Sequence, residues 1–186
     1  MFFKLKSYFS FLLKSTNQHG VHSPFVYDLI TQCFYAKTPK NLAVTNKKLT
    51  LLIRLVAYFQ PKSMLEIKSS SEMNTLAPLF DNSEIKITTL ETPNDIKNIA
   101  QQKVDFVFFN SNKLKEDVRT SFESCLKATH NNTMFVFNNI HASVETEKAW
   151  KTIKKHSNVT VSIDTYQLGL VFFRKEQEKE HFIIRV

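Results

Sequence analysis

The stretch Leu65-Glu66-Ile67-Lys68-Ser69-Ser70-Ser71-Glu72 carries an apolar run into a segment with weak helical character. A strand-to-helix turn of this kind is where a nucleotide-binding fold brings its backbone against a ligand. Such turns favour glycine, because no side chain then stands in the way. This one holds Lys68, three serines and Glu72, and no glycine. The serines have no nucleophile-elbow pattern and read as loop polarity. His141, after Asn138-Asn139-Ile140, is a weak candidate for a general base, with no orienting partner apparent in the sequence. His19 and His22 flank Gly20 with no nearby cysteine or acid, which predicts a turn-stabilising or partly exposed role. Cys33 and Cys125 match no metal spacing and sit at apolar positions of helical patterns, so both are expected to be buried free thiols.

The elements that must position these residues follow from periodicity. Residues 2–14 fit an amphipathic helix with Phe2, Leu5, Phe9, Leu12 and Leu13 on one side. Lys4, Ser7, Phe11 and Lys14 lie toward another. Gly20 ends that helix or its linker. Ser23-Pro24 is a helix start, with Ser as N-cap, and the helix runs to about Tyr35. Residues 37–41 form a loop. Residues 46–59 form a strong helix, with Leu49, Leu52, Ile53, Val56 and Phe59 on one face, stopped by Pro61. From there strands and helices alternate. Strands are predicted at 63–67, 85–91, 104–110 and 133–139. Helices are predicted at 72–80, broken by Pro78, at 92–102 behind Thr92-Pro93, at 114–128 and at 143–156. Residues 159–175 read as two strands joined by a turn ending at Gly169, and 181–186 as a last strand. The alternation implies a mostly parallel sheet with helices on both faces and an antiparallel edge from the terminal hairpin.

The bulk composition narrows the function. One domain is the default for 186 residues. Seventeen Phe against two Gly is an odd balance for a fold that cradles phosphates on its backbone. Residues 1–62 carry nine Lys or Arg against one acid, Asp28, which accounts for the whole net charge of +8. Residues 63–186 carry sixteen of each sign. The basic section is either a solvated face or an attachment surface for anionic lipid, RNA or an acidic partner. The Lys47-Lys48 and Lys154-Lys155 pairs read as solvated helix faces. No nucleic-acid motif with stacking aromatics stands out. No apolar run reaches the ~20 residues that span a bilayer, residues 1–14 make a poor signal peptide, and a cytoplasmic location is the default.

The order of elements, the hairpin and the segments His19–Tyr27 and Asn138–Val186 resemble the class I S-adenosylmethionine-dependent methyltransferases. Within these, small O-methyltransferase-like proteins with an HGVHSPFVY segment are the nearest in pattern. The resemblance covers nearly the whole chain. It implies a Rossmann-like α/β fold, S-adenosylmethionine as cofactor and O-methyl transfer to a small molecule. The family's first motif reads Leu-Glu-Leu-Gly-Thr-Ser-x-Gly. Leu65 and Glu66 match it, whereas Lys68 and Glu72 replace its two glycines and Ser70 stands in its loop. A lysine there adds bulk and puts a second positive charge beside the cofactor's sulfonium. That repulsion is worth several kcal/mol at ~4 Å and an effective dielectric of about 20. Glu91 occupies the place of the acid that binds the cofactor's ribose. The family's third strand–helix unit is missing, because residues 92–103 run straight into the next strand. Asn110, Asn138 and Asn139 stand where metal-dependent relatives carry acids, and neutral amides alone cannot offset the dehydration of a magnesium-type ion. The family's tryptophan after Ile-His is Ala142.

These residues predict a shortened methyltransferase fold with an N-terminal helical extension (1–45) and an α/β body (46–186) forming one unit. The leading expectation is a catalytically silent protein that acts, if at all, by binding, with Glu66, Lys68, Ser70, Glu72, Glu91 and Asn110 as a vestigial cofactor site, and no cofactor or metal. One alternative is an active O-methyltransferase using S-adenosylmethionine, Glu66, Glu91 and His141. Another is a peripheral membrane or partner-docking protein working through its basic N-terminal section. Lys68 is expected to pair with Glu66 or Glu91 and plug the site.

Overall fold

The computed structural model describes residues 2–37, 46–68, 76, 80, 84–91, 95, 102–110 and 116–186. The helices predicted at 72–80 and 92–102, apart from Leu76, Phe80, Asp95 and Gln102, the loop at 37–41 beyond Lys37, and the turn residues Ser69 to Glu72 lie outside the described residues. Among the rest, helices run at α1 (Phe2–Lys14), α2 (Pro24–Asp28), α3 (Lys47–Phe59), α4 (Glu116–Cys125) and α5 (Val144–Ile153). Strands run at β1 (Ser63–Lys68), β2 (Lys86–Leu90), β3 (Phe106–Asn110), β4 (Met134–Asn138), β5 (Val161–Asp164), β6 (Leu168–Phe172) and β7 (Glu180–Ile183).

Local chemistry sets the helix ends. Ser23 accepts a hydrogen bond from the Val26 amide, and Pro24 follows at the first helical position, where a missing N–H costs nothing. After Asp28 the helix continues as a π-helical turn, Leu29–Phe34, and ends at Tyr35. Asn46 caps α3 by accepting from the Lys48 and Leu49 amides, and Gln60 closes it in the left-handed conformation (φ 46°) before Pro61. The buried face of α3 is broader than its periodicity suggests, taking in Leu51 and Leu55 beside Leu52, Ile53 and Val56.

All seven strands form one sheet in the order β2-β1-β3-β4-β6-β5-β7. Strands β2, β1, β3 and β4 are parallel neighbours, and β6 pairs antiparallel with both β4 and β5. The hairpin is not the edge that its sequence suggests. Strand β7 runs parallel to β5 and covers it. Residues 91–105 alone join edge strand β2 to β3, too few for a further strand with two helical crossovers.

Alternating side chains divide the core. Met64, Phe106, Phe108, Met134 and Val136 face one side, where Val26, Leu29, Ile30, Phe34 and the α3 residues pack on them. Leu65, Val107, Phe109, Phe135 and Phe137 face the other, under Val118, Phe122 and Cys125 of α4 and Trp150 and Ile153 of α5. Each fully buried phenylalanine contributes about 1.5–3 kcal/mol. Cys33 and Cys125 are buried free thiols, and burial pushes both up to about 12.

The expected turn at Gly169 is corrected. Gly169 does not end the turn but lies inside β6, opposite Phe137. A Cβ there would meet Trp150 at 2.7 Å and Ile140 at 2.9 Å, so packing under α5 requires the glycine. The turn is Thr165–Gln167, with Tyr166 at φ 70°. Helix α1 buries Ser7 and Phe11. The more apolar stripe faces outward: Phe2, Leu5, Phe9 and Leu13 are all exposed. A helix on a globular body usually buries its apolar side. Here Ser7 finds hydrogen-bond partners on the body, and Phe11 packs against Tyr166 with ring centroids 5.4 Å apart.

Candidate functional site

Glu66, Asn110 and Asn138 meet at the C-terminal ends of three adjacent parallel strands. Glu66 pairs in register with Phe108, and Phe108 with Val136. Asn110 and Asn138 lie two residues further on, so all three side chains share the face that α3 covers. The bonds run in one direction. Lys48 Nζ donates to Asn138 Oδ1 at 2.9 Å, Asn138 Nδ2 to Asn110 Oδ1 at 3.0 Å, and Asn110 Nδ2 to Glu66 Oε1 at 3.0 Å. The Leu76 amide donates to Glu66 Oε2 at 3.0 Å. An ammonium only donates and a carboxylate only accepts, so the charged ends fix the orientation of both amides. Glu66 is 1% exposed, and burial raises its pKa against the opposing pull of the Leu76 and Asn110 bonds and the Lys68 charge. Lys48, read from sequence as solvated, is part of this chain. That position in the first turn of α3, at the positive end of the helix dipole, is offset by the acceptor it reaches.

Lys68 Nζ lies 3.6 Å from Glu91 Oε1, so the expected pairing is with Glu91. Glu91 is half exposed, and an ion pair of that kind contributes only ~0–1 kcal/mol. Ser70 and Glu72 fall outside the described residues.

His141 has the partners that its sequence context concealed. Its Nδ1 lies 2.8 Å from Glu147 Oε1 and its Nε2 2.8 Å from Asp164 Oδ2. Ser7 Oγ lies 3.1 Å from Nδ1 and donates a short hydrogen bond to Glu147. The Tyr166 ring stacks on the imidazole at 5.1 Å and 10°. Burial works against a charged ring, but the bonds and charges of Asp164 and Glu147 outweigh it and raise the pKa of His141. Glu147 is lowered: burial opposes, while Ser7, His141 and Lys151 favour its ionised form. Two carboxylates accept only if both ring nitrogens carry protons, and that imidazolium has no lone pair to take a proton from a substrate. Sequence carried one faint signal for this cluster, the acid Asp164 at the end of the strand Val161-Ser162-Ile163. Glu147 and Ser7 gave none, because only the fold brings α1, α5 and β5 together.

The His141 ring borders a cleft of about 540 Å³ lined by Lys4, Lys48, Asn139, Ala142, Tyr166 and others. Asn139 (φ 53°) and Tyr166 (φ 70°) both hold left-handed backbone there. A tyrosine in that region stores on the order of 1–3 kcal/mol of strain. Asn139 lines this cleft. Among the described residues no three His, Cys, Asp or Glu side chains group as a metal site. The donor set does not suit a magnesium-type ion, since Asn110 and Asn138 are neutral and already bonded to each other. His19 and His22 are exposed.

No family model matches the chain, and no curated protein matches it in sequence. Solved structures do match in fold. A Podospora anserina methyltransferase bound to S-adenosylhomocysteine superposes with a TM-score of 0.52 at 9% identity, over 71% of this chain and 80% of that one. A Bacillus cereus O-methyltransferase in complex with S-adenosylhomocysteine gives 0.50 at 14% identity, over 73% and 84%. The chain spans about half, 49%, of the length of the mycinamycin-pathway methyltransferase MycE, at 14% identity and a TM-score of 0.44. With the sheet order described above, the Podospora anserina and Bacillus cereus matches define a class I methyltransferase fold. No described helix is long and apolar enough to cross a membrane.

Proposed function

We propose that this chain is a catalytically silent protein on a methyltransferase fold, acting by binding rather than by methyl transfer, with its extension (1–45) and α/β body (46–186) working as one unit. The occupancy of Glu66 carries the reading. Both of its oxygens already accept internal hydrogen bonds, from the Leu76 amide and from Asn110, whose own oxygen is tied through Asn138 to Lys48. Glu66 is 1% exposed, so a ligand could reach it only by displacing one of these buried donors, and an orphaned buried partner costs ~1–3 kcal/mol. The Lys68–Glu91 pair adds support, because the residue replacing the motif's first glycine engages the acid that the resemblance assigns to the ribose. The short connection after β2 adds more, since it leaves out a unit that walls the adenine pocket in the family.

Calorimetry of the full chain with S-adenosylmethionine and S-adenosylhomocysteine tests this. No binding tighter than ~100 μM is expected. Tighter binding, or methyl transfer that disappears in Glu91→Ala, would establish the competing reading of an active small-molecule O-methyltransferase. Lys68→Gly with Glu72→Gly is expected to leave cofactor affinity unrestored, because it removes the charge and bulk without reopening Glu66.

A further inference from the structure

We propose that α1 is a docking element for anionic phospholipid bilayers, lying in the plane of the interface with Phe2, Leu5, Phe9 and Leu13 inserted. This goes beyond the proposed loss of catalysis and stands independently of whether a cofactor binds.

The four side chains are spaced by three, four and four residues, so they form one stripe along α1. They are strongly exposed: Phe2 91%, Leu13 87%, Phe9 60% and Leu5 49%. A contiguous exposed apolar strip on a small protein marks an interaction surface. The opposite side of the helix is fixed to the body. Phe11 is buried, Ser7 bonds to Glu147, and the Tyr166 hydroxyl donates to the Lys4 carbonyl at 3.1 Å. Just past the helix, the Thr16 amide donates to the Ile183 carbonyl at 2.9 Å, and the Arg185 amide donates to the Thr16 carbonyl at 3.0 Å. The stripe is therefore held outward, and little ordering remains to be done on binding.

Charge chooses the occupant. Lys4, Lys6 and Lys14 lie on the same helix, all exposed, and α1 has no acid. The first 62 residues carry the whole net charge of +8. Apolar side chains flanked by Lys6, with Lys4 and Lys14 further round a helix of thirteen residues, suit insertion to the acyl boundary with ammonium groups reaching the anionic headgroups. A helix this short cannot span the hydrocarbon, which takes ~20 residues. A second copy is the poorer occupant. It would set one strongly basic section against another, over a strip ~20 Å long and ~10 Å wide, about 200 Å² against the ~800 Å² per partner that stable interfaces bury.

Sedimentation of the full chain with vesicles is the test. Binding is expected to phosphatidylcholine vesicles containing phosphatidylserine, to weaken severalfold between ~0.1 and ~0.5 M salt, and to be absent with phosphatidylcholine alone. Phe9→Glu with Leu13→Glu is expected to reduce binding by at least about tenfold. Both side chains are exposed, so circular dichroism and Tm should stay unchanged. Lys4→Glu with Lys6→Glu should abolish the preference for anionic lipid. No binding to phosphatidylserine vesicles, equal binding to neutral ones, or a Phe9- and Leu13-dependent dimer in sedimentation velocity with no vesicle binding would each overturn the proposal.

Discussion

Asn110 donates its amide to Glu66 across the β1–β3 boundary at 3.0 Å, while its carbonyl oxygen accepts from Asn138. A single amide thus serves both neighbours, which a carboxylate could not do. In a magnesium-type site, acids at these positions would be held together by the cation between them. Here the cation is Lys48, at the far end of two amides, and the carboxylate sits at the near end. The consequence is a hydrogen-bonded chain in which an acid at position 110 would leave Glu66 without its donor.

Asn110→Asp therefore places a second carboxylate against a buried one and removes its donor. The variant is expected to lose about 3 kcal/mol of stability near neutral pH. The loss should shrink near pH 5, because two close carboxyls then share a proton. Urea denaturation at the two pH values measures both effects, and equal losses at both would argue against the assigned bond.

The His141 cluster has a pH signature with two edges. The pKa of His141 is raised from 6.5, so its contribution is full below 6.5 and is lost as pH rises through the folded value. The pKa of Glu147 is lowered from 4.5, so its contribution is present above 4.5 and is lost as pH falls through the folded value. The difference in Tm between the parent and His141→Gln is expected to be greatest between pH 4.5 and 6.5 and to narrow on either side. A difference that does not vary with pH would mean the ring is held by packing alone.

Gly169→Ala forces a methyl group against Trp150 and Ile140, both buried. Overpacking of this kind costs ~1–3 kcal/mol. Trp150 is the chain's one tryptophan, so its fluorescence reports the repacking directly during chemical denaturation.

Asp105 ties the start of β1 to β3. It accepts from the amides of Lys62 and Ser63 and from the Ser63 hydroxyl, and it meets His130 at 3.0 Å. Burial opposes its charge, but these bonds outweigh that and lower its pKa from 3.8. Its contribution is therefore held above 3.8 and lost as pH falls through the folded value. Asp105→Ala is expected to cost about 2 kcal/mol and Asp105→Asn, which keeps an acceptor, less. Equal losses for the two variants would place the effect in packing rather than in the bonds.

Among the described residues, the sequence by itself determined the main helices and strands and their order. Ser23-Pro24 marked a helix start, periodicity marked the helix at 46–59, and the runs around Phe106 and Met134 read as buried strands, because caps and hydrophobic periodicity are local properties of the chain. The same residues carried the resemblance to methyltransferases and flagged Lys68 and the three asparagines as departures from it. What the sequence could not supply was partnership. Lys48 and Asn138 are 90 positions apart, and Ser7 and Glu147 are 140 apart. Only the closing of α3 over the strand ends, and of α1 over β5 and α5, turned a lysine read as solvated into the head of a buried chain and gave a solitary histidine two carboxylates. The same closure decided which side of α1 meets the body. Periodicity locates an apolar stripe but does not say what lies opposite it. Hydrogen bonds to Ser7 and the Tyr166 ring beside Phe11 fixed the helix with its apolar stripe facing out.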